Sequence, residues 1–271
     1  MQGTLRKLRA EPSEPVSYYL PLGDFSVPLA PFLGKTLHLH YQGAIYCVAC
    51  NRKTSKSYNQ GYCFVCFRKL AACDMCILKP ETCHYHQGTC REPEWGDTHC
   101  MISHIVYLAN SSGLKVGITR ETQIPTRWLD QGAVQALPVF RVATRYQSGL
   151  IETVLAQHIA DKTNWQALIK GKSESIDLKA ERDALLERCE HDIEELKLRF
   201  PGQIQLLTDA VSEVFNYPVL EYPKKIVSFN FDKCADVAGT LLGIKGQYLL
   251  FDTGVINIRK YTAYQVELLT V

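Results

Sequence analysis

The sequence CVACNRKTSKSYNQGYCFVC, residues 47–66, opens a segment that extends to Cys100 and holds nine of the chain's 11 cysteines. It contains two cysteine pairs: two residues separate the members of each pair, and twelve residues lie between the pairs. Matched pairs at this distance are typical of a zinc ribbon, in which four thiolates surround one ion tetrahedrally and leave no open position. The spacing therefore predicts a structural zinc site that stabilises a segment with few apolar residues. The predicted ligands are Cys47, Cys50, Cys63 and Cys66.

More cysteines and histidines follow, and they outnumber the ligands that one further ion needs. We predict a second structural zinc ion here; an iron–sulfur cluster, which also takes four thiolates, is the alternative. A third interpretation is an open zinc site with three protein ligands and a water, acting on a small molecule. The preferred ligands are Cys73, Cys76, Cys83 and Cys90, with Cys100, His86 and His104 as substitutes for the fourth position.

Length and composition limit the class of protein. At 271 residues and 46% hydrophobic content, the chain can bury a substantial core. Its net charge is only +2, so no global field indicates a nucleic-acid partner, and local patches must carry that argument. The opening stretch MQGTLRKLRAEPSEP lacks the apolar run of a secretory signal, and no 18 apolar residues run together. We therefore expect a cytoplasmic protein without a membrane partner. Because the cytoplasm is reducing, its cysteine clusters indicate metal binding better than disulfides.

The pattern predicts an α+β fold in four parts. Residues 1–46 form an N-terminal β segment, because LGKTLHLHYQGAIYC, residues 33–47, alternates apolar residues with His38 and His40, which we expect to be solvated. Residues 47–103 form the zinc-binding ribbon or knuckle module. Residues 104–200 form an antiparallel sheet with helices. Residues 201–271 form a barrel-like C-terminal β segment, whose four or five strands close a small barrel or cover a sheet.

Within residues 104–200, HIVYLANSSGLKVGITR predicts a hairpin with strands over 105–109 and 114–118. VFRVATRY predicts a third strand. From Ser148 onward, apolar residues recur at helical spacing, which predicts a helix with Ser148 as its N-cap. A second and longer amphipathic pattern covers residues 174–199.

The two cysteine pairs carry local positive charge. No acidic residue lies between Cys47 and Cys73, and aromatic residues are interleaved with the basic ones. This pattern favours contacts with nucleic-acid phosphates, with bases stacking alongside; the alternative is a solvated face whose aromatics pack around a zinc site. The candidate nucleic-acid-binding residues are Arg52, Lys53, Lys56, Arg68 and Lys69.

Residues 104–165 resemble the GIY-YIG endonuclease superfamily, whose two short strand motifs precede an arginine and a helix-borne glutamate. Ile105, Val106 and Tyr107 stand at the first motif, and Lys115, Val116 and Gly117 stand at the second, where lysine replaces the family's tyrosine. Arg127 matches the family's arginine, and Glu152 matches its glutamate.

The resemblance implies hydrolysis of a phosphodiester in DNA or RNA, with Tyr107, Lys115, Arg127 and Glu152 as the catalytic residues. It also implies one Mg²⁺ or Mn²⁺ ion bound by Glu152, and a guanidinium that pairs with the phosphate. The alternative is a non-catalytic adaptor that binds nucleic acid or a ribonucleoprotein and uses the same sheet as a scaffold.

A second resemblance covers nearly the whole chain. The sequence is similar to a bacterial family known as a domain of unknown function, through the runs GYCFVCF, CILKPETCH, GTCREPEWG, KVGITR and RWLDQGA. It implies a shared layout and no particular activity.

Overall fold

The computed structural model describes residues 1–159, 164–171 and 173–269. In these ranges the chain is a mixed α and β protein with three antiparallel sheets. The strands are β1 Gln2–Thr4, β2 Arg9–Glu11, β3 Ser17–Leu22, β4 Phe25–Pro28, β5 Thr36–Tyr46, β6 Lys53–Thr54, β7 His104–Asn110, β8 Leu114–Arg120, β9 Gln135–Val142, β10 Ile204–Leu206, β11 Glu213–Val214, β12 Asp236–Lys245, β13 Tyr248–Phe251, β14 Val255–Asn257 and β15 Tyr264–Leu269. The helices are α1 Phe64–Lys69, α2 Pro93–His99, α3 Thr126–Asp130, α4 Arg145–Ala156, α5 Trp165–Ile169, α6 Leu178–Arg188 and α7 Glu190–Arg199.

The largest sheet joins the two ends of the chain. Its strand order is β1-β15-β5-β12-β13-β14, and β6 pairs with the last two residues of β5, Ile45 and Tyr46. The predicted alternation in β5 is confirmed, since Leu37 and Leu39 are buried, whereas His38 and His40 are partly exposed. The small sheet β2-β3-β4 packs on the same core.

The predicted barrel-like C-terminal segment needs correction. The large sheet is open, with β1 and β14 at its two ends, and no barrel closes within the described parts of the chain. The reason is that β12 and β15 both pair with the N-terminal strand β5 and not with each other. The N-terminal and C-terminal segments therefore build one sheet.

The five-stranded sheet confirms the predicted hairpin and third strand. Its order is β10-β9-β7-β8, with β11 also paired to β9. Every residue of β7 is buried, because both faces of this central strand are covered. Tyr107 faces the core shared with the large sheet, whereas Val106 and Leu108 pack against α4, α6 and α7.

Two helix boundaries differ from the prediction. Helix α4 begins at Arg145 and not near Ser148, because the Thr144 hydroxyl accepts the Gln147 backbone N–H and the Gln147 side chain accepts the N–H of Thr144. The amphipathic pattern over 174–199 forms two helices that meet at Cys189. Within the described ranges, no helix combines the length and apolar character needed to cross a bilayer.

Candidate functional site

The first cysteine cluster assembles at the tip of a hairpin. Cys47 directly follows β5, and its backbone N–H donates to the carbonyl of Arg52, next to β6. Cys63 caps α1, and its sulfur accepts the N–H of Cys66 at 3.5 Å. The four predicted sulfur atoms all lie within 4.8 Å of one another.

The spacing and environment of this cluster fit a zinc ion. The Sγ atoms of Cys50 and Cys63 are 3.8 Å apart, and tetrahedral Zn–S bonds of about 2.3 Å place sulfur atoms about 3.8 Å apart. Burial alone would raise the pKa of Cys47, but backbone N–H groups of Cys63, Cys50 and Ala49 lower it to about 6. A thiolate is the form that binds metal, so this cluster could hold a zinc ion.

Four of the later cysteines lie around one small cavity. They line a small cavity of about 20 Å³ beside α2. The Cys76 thiol, which donates to the Cys83 sulfur, lowers the pKa of Cys83 to about 6, whereas burial raises the pKa of Cys100 to about 11. The four cysteines that line this cavity are Cys76, Cys83, Cys90 and Cys100.

Three of the residues considered for the second zinc lie elsewhere. Cys73, a preferred ligand, does not line this cavity; it is buried, and Asn59 is its hydrogen-bonding side chain. His86 faces the ring of Tyr146 at 5.7 Å. His104 is fully buried, and its Nδ1 pairs with the Ile102 carbonyl at 2.7 Å. Cys100 is therefore the substitute that the fold brings to the cavity.

The cavity also has charged neighbours. Asp74 Oδ1 accepts the backbone N–H of Cys76 at 3.3 Å, and the other carboxylate oxygen pairs with Arg91 at 2.6 Å. Asp74, Cys76 and His84 place three donor atoms within 4.8 Å of one another. Because Arg91 already neutralises Asp74, the thiols remain the better ligands for a zinc ion.

A cleft of about 450 Å³ lies where the N-terminal strands, the cysteine segment and the five-stranded sheet meet. Its single acidic side chain, Asp130, forms an ion pair with Lys7 and accepts a hydrogen bond from Gln247 Nε2 at 2.9 Å. The ion pairs among the described residues include none of the cleft's arginines. The five cationic side chains that line the cleft are Lys7, Arg120, Arg127, Arg145 and Arg259.

These arginines are fixed by the ends of secondary-structure elements. Arg120 ends β8, Arg127 lies in α3, and Arg145 opens the capped helix α4 and donates from Nη2 to the Ile77 carbonyl at 2.7 Å. Burial lowers the pKa of both Arg145 and Arg259. Partly desolvated arginines that form none of the described ion pairs would gain from an anionic ligand, so the cleft suits phosphate.

The structure brings three of the four predicted catalytic residues together. Burial raises the pKa of Tyr107, and the nearby charges of Arg127 and Glu152 also act on this tyrosine. Burial raises the pKa of Glu152, opposed by Arg145 and Arg127 and reinforced by Glu81. Tyr107 is fully buried, however, and its hydroxyl donates to Gln131 Oε1 at 3.0 Å.

Lys115, the fourth predicted residue, lies opposite Ala109, two residue pairs nearer the hairpin turn than Tyr107 and Gly117. It does not line the cleft. Gly117 explains why Tyr107 fits: a Cβ at position 117 would lie 2.6 Å from the tyrosine's Cζ and Oη atoms.

The predicted nucleic-acid-binding residues lie on the outer surface of the first cysteine cluster. Arg52, Lys53, Lys56, Arg68 and Lys69 are all exposed. The Lys56 ammonium lies 5.2 Å from the Tyr58 ring centroid, and Arg68 lies 5.9 Å from that of Phe64, which is 53% exposed. Tyr58 stacks on Phe67.

Most of the cleft's cations are absent from the sequence-based prediction. These four residues come from the two ends and the middle of the chain and converge only in the fold: Lys7, Arg120, Arg145 and Arg259. The sole local signal is that Arg120 follows a strand and Arg145 follows a threonine that can cap a helix.

The fold and the first cluster define a mixed α and β protein with several antiparallel sheets and a cysteine cluster that could bind zinc. The family model for DUF2797, described as a protein of unknown function, matches residues 34–266. The chain therefore belongs to the DUF2797 family. No curated protein and no solved structure matches it.

Proposed function

We propose that this protein binds nucleic acid, with the phosphate backbone in the cleft between the cysteine segment and the five-stranded sheet. The observation that carries the proposal is the set of four arginines and Lys7 around one cleft that holds a single, already paired carboxylate. A guanidinium binds phosphate oxygens in a bidentate manner, and neutralised phosphates release counterions.

The surroundings of the cleft support a polymer ligand over a free phosphate ion. Ile77 and Leu78 line the same cleft, and Leu78 is 71% exposed. Exposed apolar and aromatic side chains beside cations are the surfaces on which unpaired bases pack. The exposed basic residues beside Tyr58 and Phe64 would extend this binding surface along the nucleic-acid strand.

In this proposal the cysteine segment is a scaffold held by two structural zinc ions. One ion would bind Cys47, Cys50, Cys63 and Cys66, and the other Cys76, Cys83, Cys90 and Cys100. The second site matters directly for the cleft, because Ile77, whose carbonyl accepts from Arg145, directly follows Cys76.

A divergent GIY-YIG-type phosphodiesterase centre at the edge of the cleft is the catalytic form of the proposal. Arg127 would neutralise the phosphate, and Glu152, with Glu81 nearby, would supply carboxylate oxygens of the kind that Mg²⁺ or Mn²⁺ prefers. Such an ion would stabilise the departing oxygen of the phosphodiester.

A non-catalytic nucleic-acid adaptor is the second candidate, and the burial of Tyr107 favours it. A tyrosine that helps to activate water must reach the water, whereas this hydroxyl is buried and donates to Gln131. The side chain of Tyr107 also packs edge-on against Trp128, as a core residue does.

Binding is tested with labelled single-stranded DNA, duplex DNA and structured RNA at several salt concentrations. For Arg120→Ala and Arg127→Ala we expect weaker binding and a salt dependence reduced by about one counterion per substitution. Arg188→Ala removes the same charge from an exposed position in α6, outside the cleft, and should bind like the wild type. Equal affinities for all four proteins would refute the proposed cleft.

Cleavage is tested on the same substrates with Mg²⁺ or Mn²⁺. If the centre is catalytic, Glu152→Gln should abolish cleavage while binding and zinc content persist. Binding by the wild type without cleavage of any substrate identifies the adaptor.

A further inference from the structure

A third group of metal-ligating side chains lies outside the cysteine segment and the cleft, on the outer face of the large sheet. His38 and His40 occupy alternate positions of β5, and Leu37 and Leu39 on the opposite face are fully buried. The core therefore fixes which way the two imidazoles point. They share one side of the sheet and are partly exposed.

Strand β12 brings a carboxylate to the same place. Asp236 pairs directly with His40, and the small residue Ala238 pairs with His38. Both imidazoles converge on one oxygen: His38 Nε2 lies 2.7 Å and His40 Nδ1 lies 2.9 Å from Asp236 Oδ1. All three donor atoms lie within 4.8 Å of one another.

We propose that His38, His40 and Asp236 form a surface site for a divalent transition-metal ion of the zinc and nickel class. Two imidazole nitrogens and one carboxylate oxygen are ligands that these ions favour. Tetrahedral bonds of about 2.0 to 2.1 Å put ligand atoms about 3.3 Å apart. The two N···O distances would each open by about 0.5 Å, which partly exposed side chains can accommodate.

The site differs in chemistry from the cysteine clusters. Four thiolates close a structural site, whereas three ligands on an exposed face leave at least one position open to water or to a ligand from another molecule. The bound ion would thus be exchangeable. A second carboxylate, that of Glu267, faces His40 from β15, but it accepts a hydrogen bond from Gln42 Nε2 at 2.8 Å.

The test is a calorimetric titration with Ni²⁺ of protein from which dialysis has removed exchangeable metal, so that any zinc left is held by the cysteines. Elemental analysis distinguishes nickel from that zinc. We expect one additional ion per chain. Asp236→Asn and the double variant His38→Ala/His40→Ala should weaken nickel binding by at least about tenfold, the lower end of the cost of losing even an outer-shell partner of a metal site. Glu267→Gln removes a carboxylate from the same face and should bind nickel as the wild type does.

A measurement on the wild-type protein removes any dependence on how the variants fold. Paramagnetic Ni²⁺ should broaden the imidazole NMR signals of His38 and His40 before those of the other histidines. The proposal would be overturned if the wild type bound no nickel, if nickel displaced zinc from the protein, or if Asp236→Asn bound nickel as tightly as the wild type. NMR broadening that spares both histidines would overturn it as well.

Discussion

The cysteine segment and the five-stranded sheet stand side by side in one chain and are stabilised in different ways. The segment has short helices, and Phe64, Val65, Met75 and Leu78 are exposed. Cys47, Cys63, Cys73, Cys83 and Cys100 are prominent among its buried residues. The sheet instead buries every residue of β7 between two layers of apolar side chains.

This difference indicates where each region's folding free energy comes from. Burial of apolar area stabilises the sheet. The cysteine segment buries few apolar side chains, and five of its buried residues are cysteines. A zinc ion, which the first cluster could hold, would supply stability that apolar burial supplies in the sheet. The cleft lies across this boundary and depends on both sources of stability.

Cys63→Ser should have the largest effect, because it removes a thiolate of the proposed zinc site while its hydroxyl can still cap α1. We expect the protein to lose one zinc ion per chain and hydrogen-exchange protection around residues 47–66, while β7 to β9 remain protected. Apparent zinc-binding free energies of about 10–16 kcal/mol in small zinc domains set the scale.

The matched control is Cys234→Ser, which changes an exposed cysteine outside both clusters. Zinc analysis and hydrogen exchange should find it unchanged. Simultaneous loss of protection in the cysteine segment and in β7 would show that the two regions are not energetically separate.

His104 gives the five-stranded sheet a pH dependence of its own. Burial lowers the pKa of His104 from 6.5 to about 4. The unfolded chain therefore binds the proton more readily, so stability is complete above pH 6.5 and is lost as the pH falls towards 4. The loss is on the order of 3 kcal/mol.

Denaturant unfolding at several pH values tests this. His104→Gln should remove most of that pH dependence, whereas His191→Gln, at an exposed position of α7, should keep it. The same slope in both variants would contradict the assignment.

Gly117→Ala should have a smaller effect, confined to the sheet. The added methyl group would collide with the buried Tyr107 ring, and overpacking of this kind costs about 1–3 kcal/mol. Thermal unfolding should show the loss without a change in zinc content. In a Tyr107→Leu background the same substitution should cost less, because the atoms it meets are gone; additive costs would disprove the contact.

Local patterns in the sequence predict the local features of the fold. Cysteine spacing identifies the first cluster, and alternation identifies β5 and the hairpin of β7 and β8. The cysteines around the second cavity were only partly predictable: spacing favours Cys73, but Cys100, at the end of α2, lines the cavity instead.

Long-range pairing is what the sequence could not provide. The strands after residue 201 have a pattern suited either to a barrel or to a sheet, and only their pairing with β5 decides between the two. Lys7, which follows β1, and Arg259, which precedes β15, reach the cleft because β1 and β15 pair across the length of the chain. The helix start at Thr144 was readable in principle, since Thr144 and Gln147 have the spacing of a capping box.

The position of β5 has a consequence for synthesis of the chain on the ribosome. Thr36–Tyr46 leaves the ribosome early, but its partners on either side begin at Asp236 and Tyr264. Leu37 and Leu39 therefore lack their partner strands β12 and β15 during the time in which the cysteine segment and β7 to β9 emerge and can fold. We expect the large sheet to close last, as a slow step set by the long loop between its strands.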